Sequence, residues 1–242
     1  MVTLIGMGSG KWEALSAQAQ QAVRSAGLVF GAKRLLAGLP ADCTARQFAL
    51  YQPADILETL AQTPGQDAAV LYSGDTGFYS GASGLLTPLR ALGIPARVYP
   101  GVSSIQLLSA ALGRPWQDWK LVSAHGCACD PVAECMMNRS VYFLTGGTET
   151  PASLCQKLTD AGMGEAHGVV GENLGTEAEA IRYGSAAELA GQSFAPLSVL
   201  LVENFDLPQL RAPGFPDESF IRSEVPMTKQ EVRAAALAKL AV

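Results

Sequence analysis

Short apolar runs closed by glycine, each followed by a segment with apolar residues three or four positions apart, recur through the first hundred residues of this chain. Val2–Gly6, Leu28–Phe30, Ala68–Tyr72 and Ala96–Tyr99 read as strands. Glu13–Ala26, Ala54–Ala61 and Gly84–Leu92 read as helices, and in the first of these Leu15, Ala19, Ala22 and Val23 fall on one face. Strand and helix in alternation predict a mostly parallel sheet with helices on its faces.

The stretch Arg114-Pro115-Trp116-Gln117-Asp118-Trp119 breaks this rhythm, and a second series follows. Leu121–Ser123, Val141–Leu144, Gly168–Gly171, Ala180–Tyr183 and Ser198–Val202 are predicted strands; Val132–Met137, Ala152–Ala161 and Ala186–Ala190 are predicted helices. The closely spaced strands predict a mixed sheet. After Asn204 the chain becomes more charged and polar, as a linker and one helix would be. Thr228-Lys229-Gln230-Glu231 reads as a capping box, with Val232, Ala236 and Leu240 as an apolar stripe. The expected architecture is α/β, with residues 1–113 and 114–205 as two domains and 206–242 as a separate segment.

Composition narrows the choice of function. With 242 residues, 48% of them hydrophobic, the chain can build a sizeable core in one large or two modest domains. A formal charge of −5 disfavours nucleic acid, whose phosphates demand a surplus of Lys and Arg. The amino terminus lacks the basic and then apolar regions of a leader, and no run approaches the ~20 apolar residues of a membrane span, so a cytoplasmic protein is expected. Five cysteines, an odd number, read as reduced thiols. Cys127-Ala128-Cys129 and Cys135 lack the further convergent ligands of a metal centre, and none is expected.

Candidate chemistry gathers at glycine-rich strand ends. The segment from Gly74 to Ala82, Gly-Asp-Thr-Gly-Phe-Tyr-Ser-Gly-Ala, follows a predicted strand, where open α/β sheets bind ligands. Its glycines allow close backbone approach, and Asp75, Tyr79 and Ser80 add polar atoms; an ordinary structural turn is the competing reading. Gly6-Met7-Gly8-Ser9-Gly10-Lys11 is neither a nucleoside-triphosphate loop nor a dinucleotide fingerprint. The first would need Gly where Ile5 stands and Ser or Thr where Trp12 stands. The second would need an acid after the second strand, where Phe30-Gly31-Ala32 stands.

In their order and spacing, Ile5-Gly6-Met7-Gly8-Ser9-Gly10, Gly31-Ala32-Lys33-Arg34-Leu35-Leu36, Ser73 to Ser80, Tyr99-Pro100-Gly101-Val102-Ser103-Ser104-Ile105-Gln106, Ser123-Ala124-His125-Gly126 and Gly171-Glu172-Asn173-Leu174-Gly175 resemble the tetrapyrrole methylases. More narrowly, they resemble the precorrin-7 C5-methyltransferases of cobalamin synthesis. Cys127 stands where relatives often carry Arg, and Thr76 where many carry Pro.

That resemblance implies S-adenosylmethionine held in a cleft between two α/β domains, leaving as S-adenosylhomocysteine. Gly74, Asp75, Gly77, Phe78 and Ser80, then Gly101, Ser103, Ser104 and Ile105, and from the second domain Leu144, Thr145, Asn173 and Leu174, would contact it. Gly8, Lys11, Lys33, Arg34 and Tyr79 would meet an anionic tetrapyrrole, with a solvated helix face as the competing reading of the bases. Asp75 is a candidate for orienting ligand or for capping its own loop, and His125 for accepting a proton or for a structural place beside its glycine. Pro216 to Arg222 and Val225 to Lys229 resemble the opening of the partner that methylates carbon 15 and decarboxylates an acetate arm. The implied arrangement is the C5 half of a fused enzyme; a homodimer is a further expectation. A methylase of the same fold with another substrate, and a non-catalytic cofactor- or corrinoid-binding subunit, are the alternative functions.

Overall fold

The computed structural model describes residues 1–205, 217 and 227–240, in two units, residues 1–205 and 206–242. In the first unit the elements run β1 (Val2–Gly6), α1 (Ala17–Ser25), β2 (Leu28–Phe30), α2 (Lys33–Leu36), β3 (Arg46–Phe48), α3 (Pro53–Gln62), β4 (Ala68–Tyr72), α4 (Ala82–Ala91), β5 (Ala96–Tyr99) and α5 (Ser104–Leu112). They continue with β6 (Lys120–Ser123), α6 (Pro131–Met137), β7 (Ser140–Leu144), α7 (Pro151–Asp160), β8 (His167–Glu172), β9 (Ala180–Ser185), α8 (Ala186–Ala190) and β10 (Ser198–Glu203).

The first sheet has the order β3-β2-β4-β1-β5 and is parallel throughout, as the alternating pattern predicts. Its central strands are buried on both sides. Ile5, Val29, Ala69 and Leu71 pack with Leu15, Ala19 and Val23 on one face, while Leu4, Leu28, Phe30 and Val70 pack with Ile56, Leu85 and Leu89 on the other. Double coverage is why these strands read as unbroken apolar runs. The first long helix starts at Ala17, not Glu13, because Ser16 caps it by accepting from the Ala19 amide at 3.2 Å.

The second sheet has the order β6-β7-β10-β8-β9; β6 and β7 are parallel, and the other neighbours are antiparallel. Helix α5, which the sequence pattern does not single out, packs here: Ile105 and Leu108 join Trp119, Tyr142, Val169, Val199 and Leu201. Arg114, just beyond α5, donates through both terminal nitrogens to Glu203 on β10. The residues on either side of position 113 therefore both serve the second sheet.

In the second unit α9 spans Gln230–Leu240. Its cap is Lys229, one residue beyond the expected Thr228, because the Lys229 carbonyl accepts from the Val232 and Arg233 amides. Val232 and Ala236 are exposed there. The segment from Pro216 to Arg222, apart from Asp217, lies outside the described residues, as do Val225 and Pro226.

Candidate active site

Three strands of the first sheet end in glycine segments that touch. After β1 and β4, Gly8 and Gly74 form an antiparallel bridge: the Gly8 amide donates to the Gly74 carbonyl at 3.1 Å, and the Gly8 carbonyl accepts from the Gly74 amide at 2.9 Å. After β5, Gly101 lies so close that a Cβ there would stand 2.3 Å from the Gly74 carbonyl oxygen and 2.5 Å from that of Gly6. No side chain fits into that space.

Asp75 fastens these loops. One carboxylate oxygen accepts from the Gly77 amide at 2.8 Å, the other from the Gly101 amide at 3.0 Å. With both oxygens engaged by backbone, the side chain fixes the distance between two loops. Ser103 caps α5 by a reciprocal box with Gln106, and the next residue, Ser104, faces a cleft between the two sheets.

The second sheet closes that cleft with side chains. Leu144 and Thr145 come from the end of β7, Gly171, Asn173 and Leu174 from the end of β8, and Pro196 to Val199 from the start of β10. The Thr145 hydroxyl is buried and donates to the Ser198 carbonyl at 2.6 Å. His125, after β6, places Nδ1 3.2 Å from the Thr145 carbonyl. Because a carbonyl only accepts, Nδ1 carries the hydrogen, and in the neutral ring Nε2 keeps a free lone pair. The ring rests on Gly146, where a Cβ would stand 1.9 Å from Nδ1.

The open volume is about 240 Å³, several times the ~30 Å³ that one water occupies in the liquid, so the cleft accommodates an organic ligand. Its two lobes meet at Tyr79, whose hydroxyl donates to the Leu121 carbonyl at 3.2 Å. Tyr79 and Asn173 are the non-glycine residues with positive φ among those described, at 45° and 48°. Both line the cleft. Such backbone costs of order 1–3 kcal/mol and gathers at ligand sites.

Of the residues singled out from sequence, Gly8, Arg34, Gly74, Asp75, Phe78, Tyr79, Ser103, Ser104, His125, Leu144, Thr145, Asn173 and Leu174 come together on this cleft. Gly77, Ser80, Gly101 and Ile105 are not part of the lining. Ser80 accepts from Ala82 at the start of α4, and Ile105 is buried against the second sheet. Lys11 and Lys33 are exposed outside the lining, whereas Arg34 is at its edge, donating to the Ser9 carbonyl at 3.0 Å and the Ser73 hydroxyl at 2.9 Å. Sequence reasoning missed Ser9, Ser73, Leu107 and the whole Pro196–Val199 segment. The last of these carries no glycine signal and lies at the start of a strand. It reaches the site because β10 runs antiparallel to β7 and β8, pairing Val199 with Leu144 and Ser198 with Glu172.

Among the described residues no cluster of His, Cys, Asp or Glu forms a candidate metal site, and no helix is long and apolar enough to cross a membrane.

Cobalt-precorrin-7 C(5)-methyltransferase of Salmonella typhimurium is 32% identical over 185 residues, covering 76% of this chain and 90% of that protein. Precorrin-6Y C(5,15)-methyltransferase [decarboxylating] of Sinorhizobium is 29% identical over an alignment that takes in 99% of this chain and 59% of the relative. Among solved structures, uroporphyrin-III C-methyltransferase of Thermus thermophilus, complexed with S-adenosylhomocysteine, superposes with a TM-score of 0.67 at 20% identity, over 84% of this chain and 91% of that one. The description of the tetrapyrrole (corrin/porphyrin) methylases matches residues 1–190. By that match and by its likeness to the Salmonella enzyme, this chain belongs to the tetrapyrrole methylase family.

Proposed function

We propose that this protein transfers a methyl group from S-adenosylmethionine to carbon 5 of precorrin-7 or its cobalt form. The observation that carries the reading is the cleft itself: residues 73–75, 78–79 and 102–104 of the first lobe line it opposite small polar and apolar residues of the second sheet. Adenine, ribose and an amino-acid moiety call for that mixture of close amides, hydroxyls and apolar walls. Gly74 and Ser103 from the first lobe, and Leu144, Thr145, Asn173 and Leu174 from the second, are the residues that would hold the cofactor. When bound, it supplies an electrophilic methyl group on a sulfonium.

The chain's task is then alignment and exclusion of water. A meso carbon conjugated to pyrrole-type nitrogens is already nucleophilic, so no covalent enzyme nucleophile is required, and holding the two partners in line supplies much of the rate. Arg34 is positioned to pair with a substrate carboxylate; Lys11 and Lys33 lie farther out and would extend the same positive edge. Tyr79 would meet the macrocycle from the first lobe. His125, with Nε2 free to accept, is the group suited to take a proton after methylation. Asp75 serves the loops and not the reacting atoms.

Residues 206–242 are read as the beginning of a C15-methylating partner domain, supported by the Sinorhizobium alignment extending over nearly the whole chain. The lobe limits 1–113 and 114–205 belong to the same proposal, as does a homodimer. Mass spectrometry of precorrin-7, with and without cobalt, incubated with this protein and S-adenosylmethionine tests the function. One added methyl group on precorrin-7, absent with an undecarboxylated precursor, is the expected result; cofactor binding without methyl transfer to either form would overturn the substrate.

A further inference from the structure

Beneath Ser104 lies a tyrosine that the cleft does not expose. Tyr142, at the centre of β7, is fully buried, and its hydroxyl stands 2.7 Å from the Ser104 hydroxyl. Two aromatic rings contact it: Trp119 stacks at 6.3 Å and 9°, and Phe78 from the first lobe is tilted against it at 6.2 Å. Among the described residues the Tyr142 hydroxyl has no other hydrogen-bond partner, and burial raises its pKa, so it stays neutral.

Two hydroxyls share one bond, and chemistry decides its direction. A phenol is a stronger acid than an aliphatic alcohol and so the better donor, while the serine oxygen is the better acceptor. With the Tyr142 proton on Ser104, the serine's own hydrogen is left over. Among the described residues Ser104 makes no other side-chain bond, and it lines the cleft at the first turn of α5, whose free amides favour negative charge.

We propose that Tyr142 is a positioning residue that presents Ser104 to the cleft as a hydrogen-bond donor, selecting an acceptor atom of the bound cofactor. The proposal rests on the cofactor reading given above. A pre-oriented donor binds without first losing rotational freedom, and with one of the two serine lone pairs already engaged by Tyr142 it favours a ligand that offers an acceptor at that position. The hydroxyl of Tyr142 therefore acts on affinity, whereas its ring acts on stability.

Calorimetric titration with S-adenosylhomocysteine separates these roles and separates this inference from its premise. If the unaltered protein does not bind, the cofactor reading fails. If it binds, Tyr142→Phe, which keeps the ring and its packing, is expected to weaken affinity about tenfold, as is Ser104→Ala, by analogy with loss of one oriented hydrogen bond. The double variant should be no weaker than Ser104→Ala alone. Trp119→Phe, which disturbs the same stack but leaves both hydroxyls, should lower the melting temperature and change affinity less than twofold. Unchanged affinity in Tyr142→Phe, or losses that multiply in the double variant, would overturn the proposal.

Discussion

The two sheets build one cleft by opposite means. In the first lobe the strand ends beneath the wall meet main chain to main chain, because Gly6 and Gly101 leave no room for a Cβ against each other and the Gly74 carbonyl. In the second the wall is largely side chain: Thr145 fixed on Ser198, His125 resting on Gly146, Leu144 and Val199 as apolar surface. Where backbone meets backbone, nothing can move aside when the sequence changes. Where a side chain meets a glycine, the side chain can rotate.

The sharpest way to break this comparison is Gly101→Ala. Its Cβ would meet two carbonyl oxygens at 2.5 Å or less, so β5 must shift from β1. A loss of about 3 kcal/mol or more in denaturant unfolding is expected, together with loss of S-adenosylhomocysteine binding. Asp75→Ala comes next. It frees the Gly77 and Gly101 amides and should cost about 1.5–3 kcal/mol in cofactor affinity, while melting changes little, because the loops are at the surface of the sheet. If the reaction rate fell with cofactor affinity unchanged, Asp75 would belong with the reacting atoms after all.

The second lobe has its own signature in alkali. Burial pushes the Cys135 and Cys155 thiols up from 9.0 to about 12, and both sit in the core behind the second sheet. They remain protonated in the folded chain after unfolded thiols have ionised. Their contribution is therefore fully present below pH 9 and is lost as the pH rises from about 9 toward 12. The melting temperature measured across that window should fall, and Cys135→Ala should flatten the fall. Thiol labelling at neutral pH should modify exposed Cys127 well before either buried residue.

Gly146→Ala tests the compliance of the second wall. Its Cβ would meet only the His125 imidazole, which can swing away, so a stability loss of about 1 kcal/mol is expected. Methyl transfer should fall further than cofactor affinity if His125 accepts the proton; equal losses would remove it from the chemistry. The smallest effect is expected from Asn173→Gly. It relieves the positive φ of 48° but adds freedom to the unfolded chain, leaving stability within about 0.5 kcal/mol.

Legibility of the sequence follows this same division. Parallel strands with glycine at their ends announce themselves, because double burial removes polar positions and close approach removes side chains; β1, β4 and the Gly74 loop were readable for that reason. Helix α5 was not, since Ser104–Leu112 is apolar on more than one face, lying between the first-lobe loops and the second sheet. Nor were β3 and α2, whose three and four residues are too short for a period to show. Lys11 and Lys33 carried the right charge, but charge alone does not tell which of several neighbouring bases turns into a cleft; Arg34 does so through Ser9 and Ser73.

The sequence by itself determined the two α/β series and the glycine-ended strands, because these depend on burial and backbone freedom that each segment carries locally, and its motifs, by their order and spacing, carried the likeness to the family. Tertiary structure alone decided that β10 runs antiparallel, bringing Pro196–Val199 to the cleft, that Asp75 spends both oxygens on two loops, and that Tyr142 lies under Ser104. Each of these is a meeting of residues distant along the chain, fixed by which strands pair and in what direction, and no local pattern encodes that choice.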